Sequence, residues 1–172
     1  MTRWTRRVPW LLAAVPALVL LAAGGGVAWL VGGEVAADRN CPDQLAADKA
    51  KIRTDRGFPS DNVPGLGGFL DVHWQVDTEA NPCSRAPGPT DWTYQGVVRL
   101  RPADARTLAA AYPWEPATAE PAGVWPGLSP YVPAGVRWRH SAAYDESAAG
   151  SRHLELHLDP DRAVALFRLW DS

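Results

Sequence analysis

The chain has 172 residues, 47% of them hydrophobic and 21% charged, which excludes a disordered or collagen-like polymer and allows one globular domain with a real core. With 19 acidic residues against 17 basic ones and a net charge of -2, there is no basic excess to neutralise phosphates, and a nucleic-acid partner is excluded. The charge is uneven along the chain, because Arg3, Arg6 and Arg7 stand at the start without an acidic neighbour.

Residues 8–31, VPWLLAAVPALVLLAAGGGVAWLV, carry no charge. As a helix rising ~1.5 Å per residue they span roughly 36 Å, enough for a hydrocarbon core. Basic residues precede this run, while Glu34 and Asp38 follow it before Arg39, so the positive-inside rule puts the N-terminus in the cytoplasm. Trp4, Trp10 and Trp29 fall near its two ends, where an indole keeps its ring among acyl chains and its N–H near water. The run is longer than the apolar region of a cleaved signal, which favours an uncleaved anchor. The expected organisation is a cytoplasmic tail over 1–7, a transmembrane helix over 8–33 and an extracytoplasmic domain over 34–172, the helix contacting membrane lipid. Ala22 and Gly26 form a small-xxx-small pair of the kind common in such spans.

The chain's two cysteines, Cys41 and Cys83, both fall in the exported part. Two thiols there are expected to pair, and a loop of this length stabilises a fold by roughly 4 kcal/mol in the chain-entropy model. After Cys41, Pro42 suits a first helical turn, and a short helix through Arg56 with Leu45, Lys49 and Ile52 on one side is expected. Gly57-Phe58-Pro59 is expected to stop it, with a loop following to Gly68. Leu70, Val72, Trp74 and Val76 alternate with Asp71, His73, Gln75 and Asp77, a strand with one dry and one wet face. Residues 92–101 repeat the rhythm, with Trp92, Tyr94, Val98 and Leu100 opposite Arg99 and Arg101, and read as the hairpin partner.

Pro102 then opens a helix with Asp104 in its first turn and Ala105, Leu108, Ala109 and Tyr112 at helical spacing. Six prolines between 113 and 134, at 113, 116, 121, 126, 130 and 133, predict a long surface connection. Val136, Trp138 and His140 against Arg137 and Arg139 predict a third strand running to Tyr144, followed by a turn over 147–151. Leu154, Leu156 and Leu158 alternate with His153, Glu155 and His157, and Asp159-Pro160-Asp161 supplies turn chemistry before the apolar run 163–170, a second hairpin. The fold class is therefore α+β: an N-terminal transmembrane helix followed by one small domain, its mostly antiparallel sheet covered on one face by one or two helices.

No nucleophile elbow, phosphate-cradling loop, HExxH helix or dinucleotide glycine fingerprint occurs, so no catalytic residue, no cofactor and no resident metal is assigned and the chain is not read as an enzyme. His153, Glu155 and His157 share a strand face, and such a set ligates zinc when further ligands join it, with His73 as a candidate. A solvated sheet face is the simpler reading. His140 reads as a core histidine held by a backbone carbonyl. Trp74, Trp92 and Trp138 are expected to seal the sheet against the helix, whereas Trp114, Trp125 and Tyr131 in the proline-rich connection offer a stacking platform for a cell-wall glycan or a docking patch.

The segments RRVPWLLAAVPALVLLAAGGGVAWLVGG, CPDQ, NPC, YQGVVRLRPADARTLAAAYPW and HLELHLDPDRAVALFRLW, in an Arg-rich and almost Lys-free chain, resemble the small membrane-anchored envelope proteins of Streptomyces-like actinobacteria. The resemblance implies an envelope location and transfers no catalytic residue. The expected role is a single-pass protein of the cytoplasmic membrane that displays a disulfide-bonded interaction or ligand-sensing domain to an envelope protein or cell-wall glycan. Metal carriage or metal-dependent catalysis by His153, Glu155 and His157 is the alternative.

Overall fold

The structure, a computed structural model, describes residues 40–78, 83, 91–117, 121, 123–148, 150 and 152–171. The expected transmembrane helix over 8–33 lies outside them, and no helix among the described residues is long and apolar enough to cross a membrane. The chain divides into two compact units between Gln44 and Leu45. Of the first unit, residues 40–44 are described and are helical. Cys41 and Cys83 are both disulfide-bonded.

Alternation of apolar and polar residues makes four long strands, β1 (Asp71–Thr78), β2 (Trp92–Arg99), β5 (His153–Asp159) and β6 (Val164–Trp170), and two short ones, β3 (Glu115–Pro116) and β4 (Arg139–His140). They form one six-stranded sheet in the order β1-β2-β6-β5-β4-β3, every neighbouring pair antiparallel. Both expected hairpins are present. The β5–β6 turn is fixed by Asp159, whose carboxylate accepts the amides of Asp161 and Arg162 at 3.0 and 3.1 Å, the side-chain turn that Asp favours. The sheet and helices make the domain α+β.

The first sheet face carries Val72, Trp74, Val76, Val98, Leu154, Leu156, Leu158, Ala165, Phe167 and Leu169, all buried in the main core. Helix α3 (Pro102–Ala111) lies on this face through Ala105 and Leu108, as the helical spacing predicts. Two further helical segments depart from the sequence expectation, one in where it ends and one in forming at all. Helix α1 (residues 40–50) ends before Arg56, because the chain then extends to exchange two backbone hydrogen bonds between Arg53 and Trp74, at 2.8 and 2.9 Å, along the outer edge of β1. Helix α2 (Gly57–Asn62) forms where a loop was expected, because Pro59 sits in its first turn, where a missing N–H breaks nothing.

The expected strand to Tyr144 stops at His140. Residues beyond it form helix α4 (Ala142–Ala148), started by Ser141, whose hydroxyl accepts the Tyr144 amide at 3.3 Å, an N-cap ahead of an alanine-rich turn. Tyr144 is buried in the main core, and its hydroxyl donates to the Pro64 carbonyl at 2.6 Å. Leu70, placed by its spacing on the dry face of the first strand, lies just before β1 and is 48% exposed.

The second face is not a wet face. Its Val97, Val164 and Leu166 form a separate apolar cluster with Leu128, which is fully buried at 0% exposure. Residues 113–134 thus do not merely run over the surface. Part of this connection, with a 3-10 turn at Ser129–Tyr131, packs across the sheet through Val124, Trp125 and Val132. Trp138 joins this second cluster rather than the helix-facing one.

Gly96 marks where β2 and β6 are packed tightest, because a methyl group there would stand 2.5 Å from the Phe167 ring and 2.7 Å from the Trp74 Cβ. Overpacking of this kind costs about 1–3 kcal/mol. Gly96→Ala is therefore expected to lower Tm by roughly 5 °C or more in thermal denaturation; an unchanged Tm would contradict this packing.

Candidate functional site

The polar side chains of the second face are buried because they bond to backbone groups of the connection and of the last turn of the first helix. Gln95, 1% exposed, accepts the Trp125 amide at 2.7 Å and donates to the Gly123 carbonyl at 3.2 Å. Gln75 donates to the carbonyls of Lys49 and Ala50 at 3.1 and 3.3 Å. Asp159, also 1% exposed, accepts the Arg137 amide at 2.7 Å through its second oxygen. Each bond satisfies a backbone group that no sheet or helix serves, which is the condition for burying both partners.

One row of the sheet crosses this face from β1 to β4: His73 pairs with Val97, Val97 with Leu166, Leu166 with His157, and His157 with His140. At about 4.8 Å per strand, His73 stands roughly 14 Å from His157. His73 therefore cannot share a metal with it, and stacks instead on Tyr131 with ring centroids 3.6 Å apart. Among the described residues no group of three or more His, Cys, Asp or Glu side chains is placed to hold a metal ion. His153, Glu155 and His157 do not converge: His153 is exposed and stacks on Trp170 at 5.4 Å, whereas His157 is buried and its Nε2 bonds Glu155 at 2.9 Å.

The neighbour that sequence spacing missed is His140, whose ring centroid lies 5.2 Å from that of His157. It is held not by a backbone carbonyl, as expected, but by Asp145 of α4, Nε2 to Oδ2 at 2.6 Å. The other oxygen of Asp145 accepts the Leu156 amide at 3.0 Å, so α4 closes the edge of β5 beyond the two-residue strand β4. Burial raises the Asp145 carboxyl, while its bonds to His140 and Leu156 pull it back. Burial lowers the His157 imidazole, against the opposing pull of Glu155. The Nδ1 of His157 is buried without a hydrogen-bond partner, so a second proton on this ring would add charge at a site with no acceptor beside it.

The aromatic residues of the connection do not form one platform. Trp114 bonds the Leu108 carbonyl at 3.0 Å and packs against the main core beside Tyr144, while Trp125 belongs to the second-face cluster. Tyr131, 39% exposed, borders a cleft of about 280 Å³ whose floor includes Val97 and Val164 and whose rim carries Asp71, Arg99 and Arg162. This cleft lies where the connection stops short of covering the sheet's corner. No family model, curated protein or solved structure matches the chain.

The pH dependence follows from His157. Its folded value is depressed below the ordinary 6.5, so the stability carried by the neutral ring is complete above pH 6.5 and is lost as pH falls through the lowered folded value. Asp145 has the opposite sense, since its raised value means that the folded state regains stability as the carboxyl takes up its proton. Comparison with a variant isolates the histidine. Between about pH 7.5 and about pH 5.5 the unsubstituted chain should lose more Tm than His157→Gln; equal losses would contradict the assignment.

Proposed function

We propose that this chain is a single-pass protein of the cytoplasmic membrane that displays its α+β domain on the outer side as an interaction or ligand-sensing module, and that it acts by binding rather than by catalysis. The observation that carries the reading is the oxidised state of both cysteines, Cys41 and Cys83, since disulfides persist in exported domains and are rare in reducing compartments. The uncharged residues 8–31, preceded by Arg3, Arg6 and Arg7 and followed by Glu34 and Asp38, support the same orientation.

The cleft beside Tyr131 supports binding as the activity. It joins an apolar floor to a charged rim, the combination by which small-ligand sites gain affinity from burial and orientation from polar groups. The proposed partner lies in the envelope, an exported protein or a cell-wall glycan, as the sequence resemblance implies.

Fusions at the C-terminus test the orientation. A phosphatase that needs export for its disulfides should be active there, and a fluorescent protein that matures only in the cytoplasm should stay dark. A silent phosphatase with a bright fluorophore would overturn the proposal.

A further inference from the structure

We infer that the cleft between Tyr131 and the β1–β2–β6 corner binds a monoanionic carboxylate carried on an apolar body, with Arg99 and Arg162 taking the carboxylate and Val97, Val164, Pro130 and Pro133 taking the body. This deepens the binding role proposed above and rests on it.

The first argument is the state of the two arginines. The Arg99 side chain is 66% exposed, and its one ion-pair partner among the described residues is Asp71, at 3.9 Å, a loose contact worth little in water. The same Asp71 oxygen is shared with His73, also at 3.9 Å. Arg162 uses its Nε on the Gly135 carbonyl at 2.9 Å, and its distance to Asp159 is 3.8 Å. Asp159 meanwhile accepts three backbone amides, from Arg137, Asp161 and Arg162, so its charge is already shared. The terminal amino groups of Arg162 carry no hydrogen bond among the described residues, and a guanidinium with free donors matches a carboxylate.

The second argument is the floor. Val97 and Val164 belong to the buried second-face cluster, and with Pro130 and Pro133 they give the cleft dry sides below a charged rim. Water held there is readily displaced by an apolar group, and a ligand of this shape gains from burial at one end and ion pairing at the other.

The third argument selects the charge. Two arginines against Asp71 leave the lining one positive charge in excess, histidine aside. A monoanion balances that excess, whereas a phosphate dianion would meet Asp71 uncompensated. Tyr131 and His73, stacked at 9° between their planes, form a rigid side wall, so little ordering accompanies binding.

Calorimetric titration of the full chain in nanodiscs of neutral lipid tests this, with benzoate, N-acetyl-leucine and inorganic phosphate as probes. The expected result is saturable binding of both carboxylates and weaker or no binding of phosphate. Arg99→Gln should weaken the carboxylates by at least about tenfold, whereas Arg106→Gln, on exposed α3 surface, should leave them unchanged. Arg99→Lys, which keeps the charge and loses the fork, should fall between. Resonances of His73 and Tyr131 should shift on saturation in the unsubstituted chain, a readout independent of any variant's folding. A free acid as the natural source predicts tighter benzoate, and a peptide C-terminus predicts tighter N-acetyl-leucine; either order supports the assignment. Absence of saturable carboxylate binding, affinity unmoved by Arg99→Gln, or phosphate binding as tight as benzoate would overturn it. A domain located inside the cell would undo the display reading and leave a positive titration standing, so the two failures are distinguishable.

Discussion

Hydrogen bonds from buried side chains to irregular backbone hold the second face of this sheet together. A proline-rich connection cannot satisfy its own amides and carbonyls through a helix or a strand ladder, yet here it packs across one face of the sheet. Gln95 and Asp159 make that possible by bonding Trp125, Gly123 and Arg137. A buried amide bonded on both ends contributes modestly, but one left unbonded costs about 1–3 kcal/mol. The arrangement therefore selects one path for the connection more strongly than apolar contact alone, and that path fixes where Leu128 enters the core and where Tyr131 meets His73.

The same constraint accounts for both polar sites on this face. Where the connection covers the sheet, polar residues are buried and partnered; where it ends, the corner at Arg99 and Arg162 stays open as a cleft. Toward the opposite side, α4 closes β5 where the two-residue β4 ends, with Asp145 bridging His140 and the Leu156 amide. The outer edge of β1, bridged at Trp74 by Arg53, is managed by side chains as well. Asp71 and Asp77 accept the amides of Val72 and Thr78 at 2.9 and 2.7 Å, and Lys49 bonds the Thr78 carbonyl. Edges finished in this way resist pairing with other chains.

The four long strands and α3 were legible because each has a complete period, two for Val72-Trp74-Val76 and for Leu154-Leu156-Leu158, and helical for Ala105-Leu108. What period could not reveal was the fate of the polar face. Gln75 and His157 read as solvent-facing by alternation and are buried, as are Gln95 and Asp159, because alternation reports only which residues share a side and not what later covers that side. A glutamine in the middle of an apolar strand, as Gln95 is between Tyr94 and Val97, was the available signal. The start of α4 was missed for a local reason: the strand rhythm through His140 was extended past Ser141, whose capping hydroxyl begins a helix. The pairing of His140 with His157 depended on strand order, which spacing along one strand does not contain.

Amide hydrogen exchange of Trp125 and Arg137 tests the central claim most directly. Both lie outside any strand or helix, and among the described residues their N–H groups bond only to the buried side chains of Gln95 and Asp159. If these bonds hold the connection down, the two amides exchange with protection close to that of the β2 and β6 ladder. Exchange at the rate of an open loop, with the ladder still protected, would contradict the account.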